Sequence, residues 1–238
     1  MSIPALRFRQ LVKRYAGTPV LEGIDLDIAP GECVGLVGVN GAGKTSLLKC
    51  LFDFVRVDGG SIEIFGRAHR EAAARSPLAF LPERFMPPYY LSGAEFLAYM
   101  AKLHGRRHDP DAARAMLDAL DLDHAALSMP ARKQSKGMTQ KLGLAACFLS
   151  NKQAYILDEP MSGLDPKARA RLKERLRHVR AQGATVFFSS HALADIEELC
   201  DRMAILHDGQ LRFTGTPAAC REAYGAATLE QAFLTCVN

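Results

Sequence analysis

Tryptophan is absent from the sequence, and its six cysteines are far apart with no CxxC pair among them. The wide cysteine spacing without a CxxC pair excludes the ligand spacing of a zinc site and the dense cysteine framework of a small secreted domain. We therefore expect six reduced, buried thiols. The longest run without Asp, Glu, Lys or Arg covers residues 181–194, which is shorter than the roughly 18 to 20 apolar residues of a membrane-spanning helix. Residues 1–15 lack the apolar stretch of a secretory signal peptide. We therefore expect neither a membrane span nor secretion.

Charge and composition narrow the class of protein further. The chain has 238 residues, 48% of them hydrophobic and 24% charged. That balance is typical of folded globular proteins and excludes a disordered chain, while the length corresponds to one or two domains. The net charge of +4 is too small to indicate a nucleic-acid partner.

The hydrophobic pattern changes along the chain. Apolar and charged residues alternate over residues 6–9 and 24–28, as in antiparallel strands with one wet face, whereas residues 33–37 are apolar throughout, as in a parallel strand covered on both sides. Residues 87–151 are predicted to be helical. After them an α/β rhythm returns, with predicted strands at 154–157, 184–188 and 203–206 and predicted helices at 166–181 and 193–200.

A glycine-rich motif follows the first apolar strand. Residues 38–45 read GVNGAGKT, which matches GxxxxGK followed by Ser or Thr, the pattern of a phosphate-binding loop. Its glycines let backbone N–H groups approach phosphate oxygens, Lys44 would contact the β- and γ-phosphates, and the Thr45 hydroxyl would hold Mg²⁺. A chance match in a plain turn is disfavoured by the flanking strand and helix. The predicted phosphate-binding residues are Gly38, Val39, Asn40, Gly41, Ala42, Gly43, Lys44, Thr45 and Ser46.

A second motif places two carboxylates at the end of an apolar strand. Residues 154–159 read AYILDE. A strand that ends in acids is commonplace alone, but nucleotide hydrolysis needs one carboxylate near Mg²⁺ and another group to orient water. We assign the first role to Asp158 and the second to Glu159.

Further motifs occur in a fixed order. Residues 134–138 read QSKGM, about 20 residues before the acidic pair, and residues 162–165 read SGLD directly after it. His191 ends the next strand. In this order the sequence resembles the ATP-binding cassette (ABC) family: the three stretches are similar to its signature motif, its D-loop and its switch histidine.

The resemblance implies an α/β P-loop NTPase fold. Its RecA-like core would carry an N-terminal antiparallel β subdomain and an inserted α-helical subdomain. The whole chain, 1–238, would be one ABC domain, with the nucleotide core at about 1–84 and 152–238 and the helical subdomain at about 85–151.

The resemblance also implies roles for single residues. Two cassettes would pack head to tail, so that the signature residues Ser135, Lys136, Gly137 and Met138 of one cover the ATP of the other, with Asp165 in the D-loop. Lys44, Glu159 and His191 would be catalytic, and Tyr15 would stack on adenine. Each has a plainer alternative: Ser135 as an ordinary helix cap, His191 as a structural residue, and Tyr15 as a surface residue.

Two departures from the family pattern concern these roles. Glu83 stands where the family has a glutamine that contacts Mg²⁺, so the predicted metal ligands are Thr45, Asp158 and Glu83. Lys136 and Met138 replace a glycine and a glutamine of the signature. Both departures resemble the exporter branch of the family.

The resemblance predicts the ATPase subunit of an ABC exporter that uses ATP and Mg²⁺. Its membrane-spanning subunit would be a separate chain docking at residues 83–90 and the helical insertion, and the cassette would act as a homodimer or heterodimer on the cytoplasmic face of the membrane. No nucleic acid is expected. The alternatives are a soluble ABC-type ATPase acting on nucleic acid or ribosomes, and a regulatory module that does not hydrolyse ATP.

The predicted helix 166–181 carries basic residues on both sides of an apolar stripe. They form either a solvated basic surface or a surface attracted to anionic lipid headgroups.

Overall fold

The computed structural model describes residues 3–237. Its strands are β1 Leu6–Tyr15, β2 Thr18–Ile28, β3 Cys33–Val37, β4 Gly59–Ile64, β5 Arg67–Ala68, β6 Leu78–Leu81, β7 Ala154–Asp158, β8 Thr185–Ser190, β9 Arg202–His207 and β10 Gln210–Gly215. Its α-helices are α1 Lys44–Leu51, α2 Gly93–Leu103, α3 Pro110–Ala119, α4 Ala125–Ser128, α5 Lys136–Leu149, α6 Pro166–Ala181, α7 Leu193–Leu199, α8 Pro217–Ala223 and α9 Leu229–Val237. Short 3₁₀ helices cover Ala72–Arg75 and Ala131–Lys133.

The strands form two sheets. One is antiparallel with the order β2-β1-β4-β5, and the other has the order β10-β9-β3-β8-β7-β6. In the second sheet all neighbours are parallel except β9 and β10. β3, β7 and β8 are buried along their whole length, because helices cover both faces of a parallel sheet. The predicted change from antiparallel to α/β structure is confirmed.

Capping residues set the starts of several helices. Ser92 and Glu95 form a reciprocal capping box at α2, and Asp109 and Asp165 cap α3 and α6 ahead of a proline. These starts agree with the sequence patterns. None of the helices in the described part of the chain combines the length and the apolarity needed to cross a bilayer.

Two apolar clusters lie on opposite faces of the parallel sheet. Val34 and Leu36 of β3 point into a cluster with α1 and the antiparallel sheet, whereas Cys33 and Val37 point into a cluster with α2, α3, α5, α6 and α7. Alternate residues of one strand therefore serve two cores, as the pleat requires. The helices between β6 and β7 share a core with α6 and α7.

The end of the chain differs from the prediction. α8 and α9 were not predicted, although Thr216 accepts a hydrogen bond from the Ala219 backbone and Pro217 follows it, which is a recognisable helix start. The expectation of six buried thiols is wrong for two of them. Cys200 and Cys236 are only partly buried, because they lie at the ends of α7 and α9.

The basic side chains of α6 are largely ion-paired. The apolar stripe of α6 is buried as predicted. Lys173 pairs with Asp195 at 2.7 Å and with Glu198, which also pairs with Arg177. Arg180 pairs with Asp201. Part of this surface therefore faces acids of α7 and its C-terminal end, whereas the side chains of Lys167, Arg171 and Arg177 are exposed. The solvated basic surface and the lipid-attracting surface both stay predictions.

Candidate nucleotide-binding site

The glycine-rich loop connects the end of β3 to the start of α1. Two of its glycines lie so close to the backbone of other strands that a larger residue would not fit. A Cβ on Gly38 would lie 2.4 Å from the Leu206 carbonyl oxygen. Gly43 has φ 108°, and a Cβ there would lie 2.9 Å from the Val20 carbonyl oxygen. The loop therefore packs closely against β2 and β9 while its other side faces a cavity.

The N-terminus of α1 faces this cavity without competition from acids. Among the described residues no side chain caps the helix, and its first turn, which begins at Lys44, holds no acidic residue. The first N–H groups of a helix lack intrahelical partners and carry partial positive charge, so they form a ready site for an anion.

Lys44 adds a full positive charge to the same place. The residue is 7% exposed, and its Nζ donates to the carbonyl oxygens of Gly38 at 2.6 Å and Val39 at 3.3 Å. It also lies 3.8 Å from Glu159 Oε1. The ammonium group is thus held between the loop and the acidic end of β7.

Three hydroxyl and carboxylate groups form a chain across neighbouring strands. Thr45 Oγ1 donates to Asp158 Oδ2 at 2.9 Å, and Ser189 Oγ donates to Asp158 Oδ1 at 2.5 Å. Ser189 Oγ also accepts from the Glu159 backbone N–H at 2.9 Å. Both carboxylate oxygens of Asp158 are therefore held. The sequence analysis did not predict Ser189. It reaches the site because Asp158 of β7 is paired with Ser189 of β8.

Glu159 and His191 meet at the mouth of the cavity. Glu159 is 9% exposed and has a left-handed backbone with φ 49°. Its Oε2 lies 2.8 Å from His191 Nδ1, and the His191 side chain is 65% exposed. Since an ionised carboxylate only accepts hydrogen bonds, the proton of this contact is on Nδ1.

The cavity has a volume of about 690 Å³. The predicted residues 39–46, together with Glu83, Asp158, Glu159 and His191, line it, and Gly38 lies one residue before this stretch. These parts meet because the carboxyl ends of β3, β6, β7 and β8 lie at one edge of the parallel sheet. The lining residues that were not predicted are Val20, Arg84 and Ser162.

The structure places the remaining predicted residues outside this lining. Ser135 caps α5 by accepting from the Met138 N–H at 3.2 Å, and Lys136, Gly137 and Met138 form the first turn of α5. Asp165 caps α6, where the Ala168 N–H lowers the pKa of its carboxyl. Tyr15 ends β1, is 41% exposed and lies beneath the Lys13 ammonium, 5.0 Å from the ring centroid. The adenine contact of Tyr15 stays a prediction.

The oxygen-bearing side chains near the loop suit Mg²⁺ as a ligand set. Thr45, Asp158 and Glu83 line the cavity, and the polar atoms of their side chains are all oxygens. Mg²⁺ takes oxygen ligands, of which a protein supplies few when phosphates supply others. The Thr45 hydroxyl and the Asp158 carboxylate are already 2.9 Å apart. The residues present therefore fit this ion.

Comparison with known proteins agrees with the geometry. A family model described as ABC transporter matches residues 21–162. The chain is 34% identical to the ABC-type transporter ATP-binding protein EcsA of Bacillus subtilis, over 96% of this chain and 95% of that protein. It is 35% identical to the Nod factor export ATP-binding protein I of Burkholderia pseudomallei, over 94% of this chain and 74% of that protein.

Some relatives are longer than this chain. An uncharacterized ABC transporter ATP-binding protein of Synechocystis is 38% identical over 83% of this chain, and the match spans 57% of that protein. A similar relative from Nostoc is matched over 59% of its length. The chain thus spans little more than half of these two relatives.

Solved structures give the same result. The structure of an ATP binding subunit of an ABC transporter superposes with a TM-score of 0.88 and 32% identity, over 98% of this chain and 99% of that one. A bacterial Atm1-family ABC exporter with ATP bound shares the fold, with a TM-score of 0.83 and 22% identity over 96% of this chain and 41% of that one. The predicted P-loop NTPase fold is confirmed, and the family that matches is the predicted family of ABC-type ATPases. The chain belongs to the ABC transporter family as one of its ATP-binding chains.

Proposed function

We propose that the chain hydrolyses ATP and couples this reaction to export through a membrane-spanning subunit on a separate chain. The observation that carries the proposal is the meeting, in one cavity, of a phosphate-binding loop with a held carboxylate, Asp158, and a carboxylate–histidine pair, Glu159 and His191. A non-hydrolysing regulatory module has no need of the last pair.

Nucleotide binding rests on the loop and Lys44. The N–H groups of residues 39–46 and the α1 N-terminus would receive the phosphates. Lys44 Nζ, now bonded to the carbonyls of Gly38 and Val39, would exchange these partners for phosphate oxygens. Thr45, Asp158 and Glu83 supply the oxygen atoms that would hold Mg²⁺, which neutralises charge on the phosphates when bound.

Glu159 is the proposed general base. Its carboxylate would orient the attacking water and accept its proton, while the His191 Nδ1–H keeps the carboxylate in one orientation. The positive φ of Glu159 and the bond from its N–H to Ser189 fix the backbone from which this side chain projects.

The signature residues are proposed to act on a second cassette. Ser135, Lys136, Gly137 and Met138 lie at the N-terminal end of α5, outside the lining of their own chain's cavity. In a head-to-tail homodimer or heterodimer they would add a hydroxyl and a helix N-terminus to the partner's γ-phosphate, with Asp165 nearby. We also propose residues 85–151 as a helical subdomain and 1–84 with 152–238 as the nucleotide core.

The surface after β6 is the proposed dock for the membrane subunit. Met86, Tyr89 and Tyr90 are 85%, 67% and 66% exposed, and exposed aromatic residues are typical anchors of interfaces. The relatives named for Nod factor export support the direction of transport. Such a cassette would be peripheral to the cytoplasmic face of the membrane.

Steady-state ATPase measurements on Glu159→Gln test the catalytic part of the proposal. We expect kcat to fall by about 10² or more, with ATP binding retained, because the amide cannot accept the proton. Glu174→Gln, an exposed change on α6, is the matched control. Equal turnover in Glu159→Gln and the parent would contradict the proposed base.

Docking is tested separately from hydrolysis. We expect a Met86→Ala/Tyr89→Ala variant to leave the membrane fraction of cells that express the transporter while it keeps ATPase activity in solution. Leu234→Ala removes another exposed apolar side chain, on α9, and should stay with the membranes. Unchanged membrane association of the double variant would contradict this dock.

A further inference from the structure

A second cavity lies at the end of β7 opposite to the phosphate loop. Its volume is about 280 Å³. Ser150 and Asn151, which precede β7, line it, whereas Asp158 at the other end of the same strand lines the nucleotide site. The two cavities share no lining residue, so they are separate.

The floor of the cavity is apolar. Leu97, Met116 and Phe148, from α2, α3 and α5, are 2%, 7% and 2% exposed. Met100 and Leu149 extend this surface toward the mouth. The unbranched methionine side chains adapt readily to an apolar occupant.

The rim of the cavity is cationic. Arg106 and Arg107 come from the loop between α2 and α3, and Arg175 comes from α6. His104 and His108 lie on the same rim. The Arg175 guanidinium lies over the Phe148 ring, 5.5 Å from its centroid, and its buried Nε has no hydrogen-bond partner among the residues that the structure describes.

Within residues 3–237, no ion pair involves Arg106, Arg107 or Arg175. By contrast, Lys173 and Arg177, on the same helix as Arg175, are both ion-paired. Asp109 is the one acid among the lining residues, and its carboxylate is bonded to two N–H groups of α3. Burial, Lys152 and Arg106 all lower the pKa of His104. The field inside the cavity is therefore positive.

An apolar floor beneath unpaired guanidinium groups suits a ligand that has an anionic group at one end and hydrocarbon at the other. Guanidinium groups bind phosphate and carboxylate through paired hydrogen bonds, and the leucine and methionine floor accepts hydrocarbon. One face of Phe148 is already covered by Arg175, which disfavours stacking of a flat ring there. We propose that this cavity, the cationic pocket, binds a small amphipathic anion, a phosphate or carboxylate group carried on a short aliphatic chain.

Octyl phosphate, below its micelle concentration, is the probe for a calorimetric titration of the full chain without nucleotide. We expect saturable binding that weakens about tenfold or more in Arg106→Ala/Arg107→Ala, because this variant loses two guanidinium groups that can donate charged hydrogen bonds to the anion. The matched control is Arg67→Ala/Arg70→Ala, which removes two exposed arginines near β5 and should keep the parent affinity. Both variants change exposed side chains, and a thermal melt checks that they are folded.

Titrations with inorganic phosphate and with octanol test the anionic half and the hydrocarbon half of the proposed ligand one at a time. We expect each to bind at least about tenfold more weakly than octyl phosphate, because each satisfies only the rim or only the floor. Equal affinity for inorganic phosphate and octyl phosphate would overturn the proposal.

Two sources of such an anion are distinguished by vesicles. If the chain sediments with phosphatidic acid vesicles and this requires Arg106 and Arg107, the ligand is a lipid. If it binds octyl phosphate but no vesicles, the ligand is a soluble amphiphile. Either result supports the cationic pocket. The proposal is overturned if no anionic amphiphile binds saturably, or if the two double-arginine variants bind octyl phosphate equally.

Discussion

His191 Nδ1 lies 2.8 Å from Glu159 Oε2, so a largely exposed ring holds a largely buried carboxylate. The two residues follow neighbouring strands, β8 and β7, and the contact joins the ends of these strands. Nothing else in the described residues donates a side-chain hydrogen bond to this carboxylate. The orientation of Glu159 therefore depends on this hydrogen bond, beside the longer ion pair of its Oε1 with Lys44 at 3.8 Å.

Replacement of His191 by alanine tests this dependence. We expect kcat for ATP hydrolysis to fall by about 10², because a base that is free to rotate loses its alignment with water. The KM for ATP should change little. His178→Ala, on the exposed surface of α6, serves as control, and parental kcat in the His191 variant would show that the carboxylate is held in another way.

Ser189→Ala should lower both stability and turnover. The change leaves a buried Asp158 oxygen and the buried Glu159 N–H without their partner, and a buried polar group left unpaired costs about 1–3 kcal/mol. Chemical denaturation measures the loss of unfolding free energy. Ser128→Ala removes an exposed hydroxyl that donates to Ala125 and should be neutral. A Ser189 variant as stable as the Ser128 variant would count against this role.

Lys173 and Arg177 pair with the same helix, α7, but with different burial. Asp195, the partner of Lys173, is 5% exposed, so Lys173→Met leaves a buried charge unpaired and should cost about 3–5 kcal/mol of unfolding free energy. Arg177 is half exposed, as is its partner Glu198, and Arg177→Met should cost less than about 1 kcal/mol. Equal effects in thermal or urea unfolding would mean that burial of Asp195 does not decide the difference.

Stability should fall in mild acid because of His69. Burial lowers the pKa of His69 below its ordinary 6.5, although the Ile62 carbonyl and Asp53 raise it in part. As pH falls through 6.5, the unfolded chain takes up a proton that the folded chain does not take up until a lower pH. Unfolding free energy should therefore decrease from neutral pH down to the folded-state pKa, and level off below it.

His69→Gln should flatten this decrease when urea unfolding is followed across that range. His104, whose pKa is also lowered, contributes the same sign in both proteins and leaves a residual slope. An unchanged slope in His69→Gln would refute the assignment.

The parts of the site that were predictable lie in contiguous motifs. Residues 38–45, the pair Asp158 and Glu159, and His191 each follow a strand whose apolar pattern is clear, and parallel strands bring their carboxyl ends to one edge. The sequence alone was therefore enough to expect that these groups meet.

The residues that were missed depend on pairings between distant elements. Ser189 reaches Asp158 because of the register between β7 and β8, and Val20 reaches the cavity because the antiparallel sheet packs on the loop. The acids of α7 pair with the basic side of α6 for the same reason. A pattern within one helix shows which face is charged, but it does not show what lies opposite.

The order of strands also bears on how the protein is made. β3, which leads into the phosphate loop, lies between β8 and β9, and both of these strands follow it much later in the sequence. During synthesis β3 has neither neighbour until residues 185–207 have left the ribosome. Nucleotide bound at the loop would therefore stabilise only a chain that already includes β8 and β9.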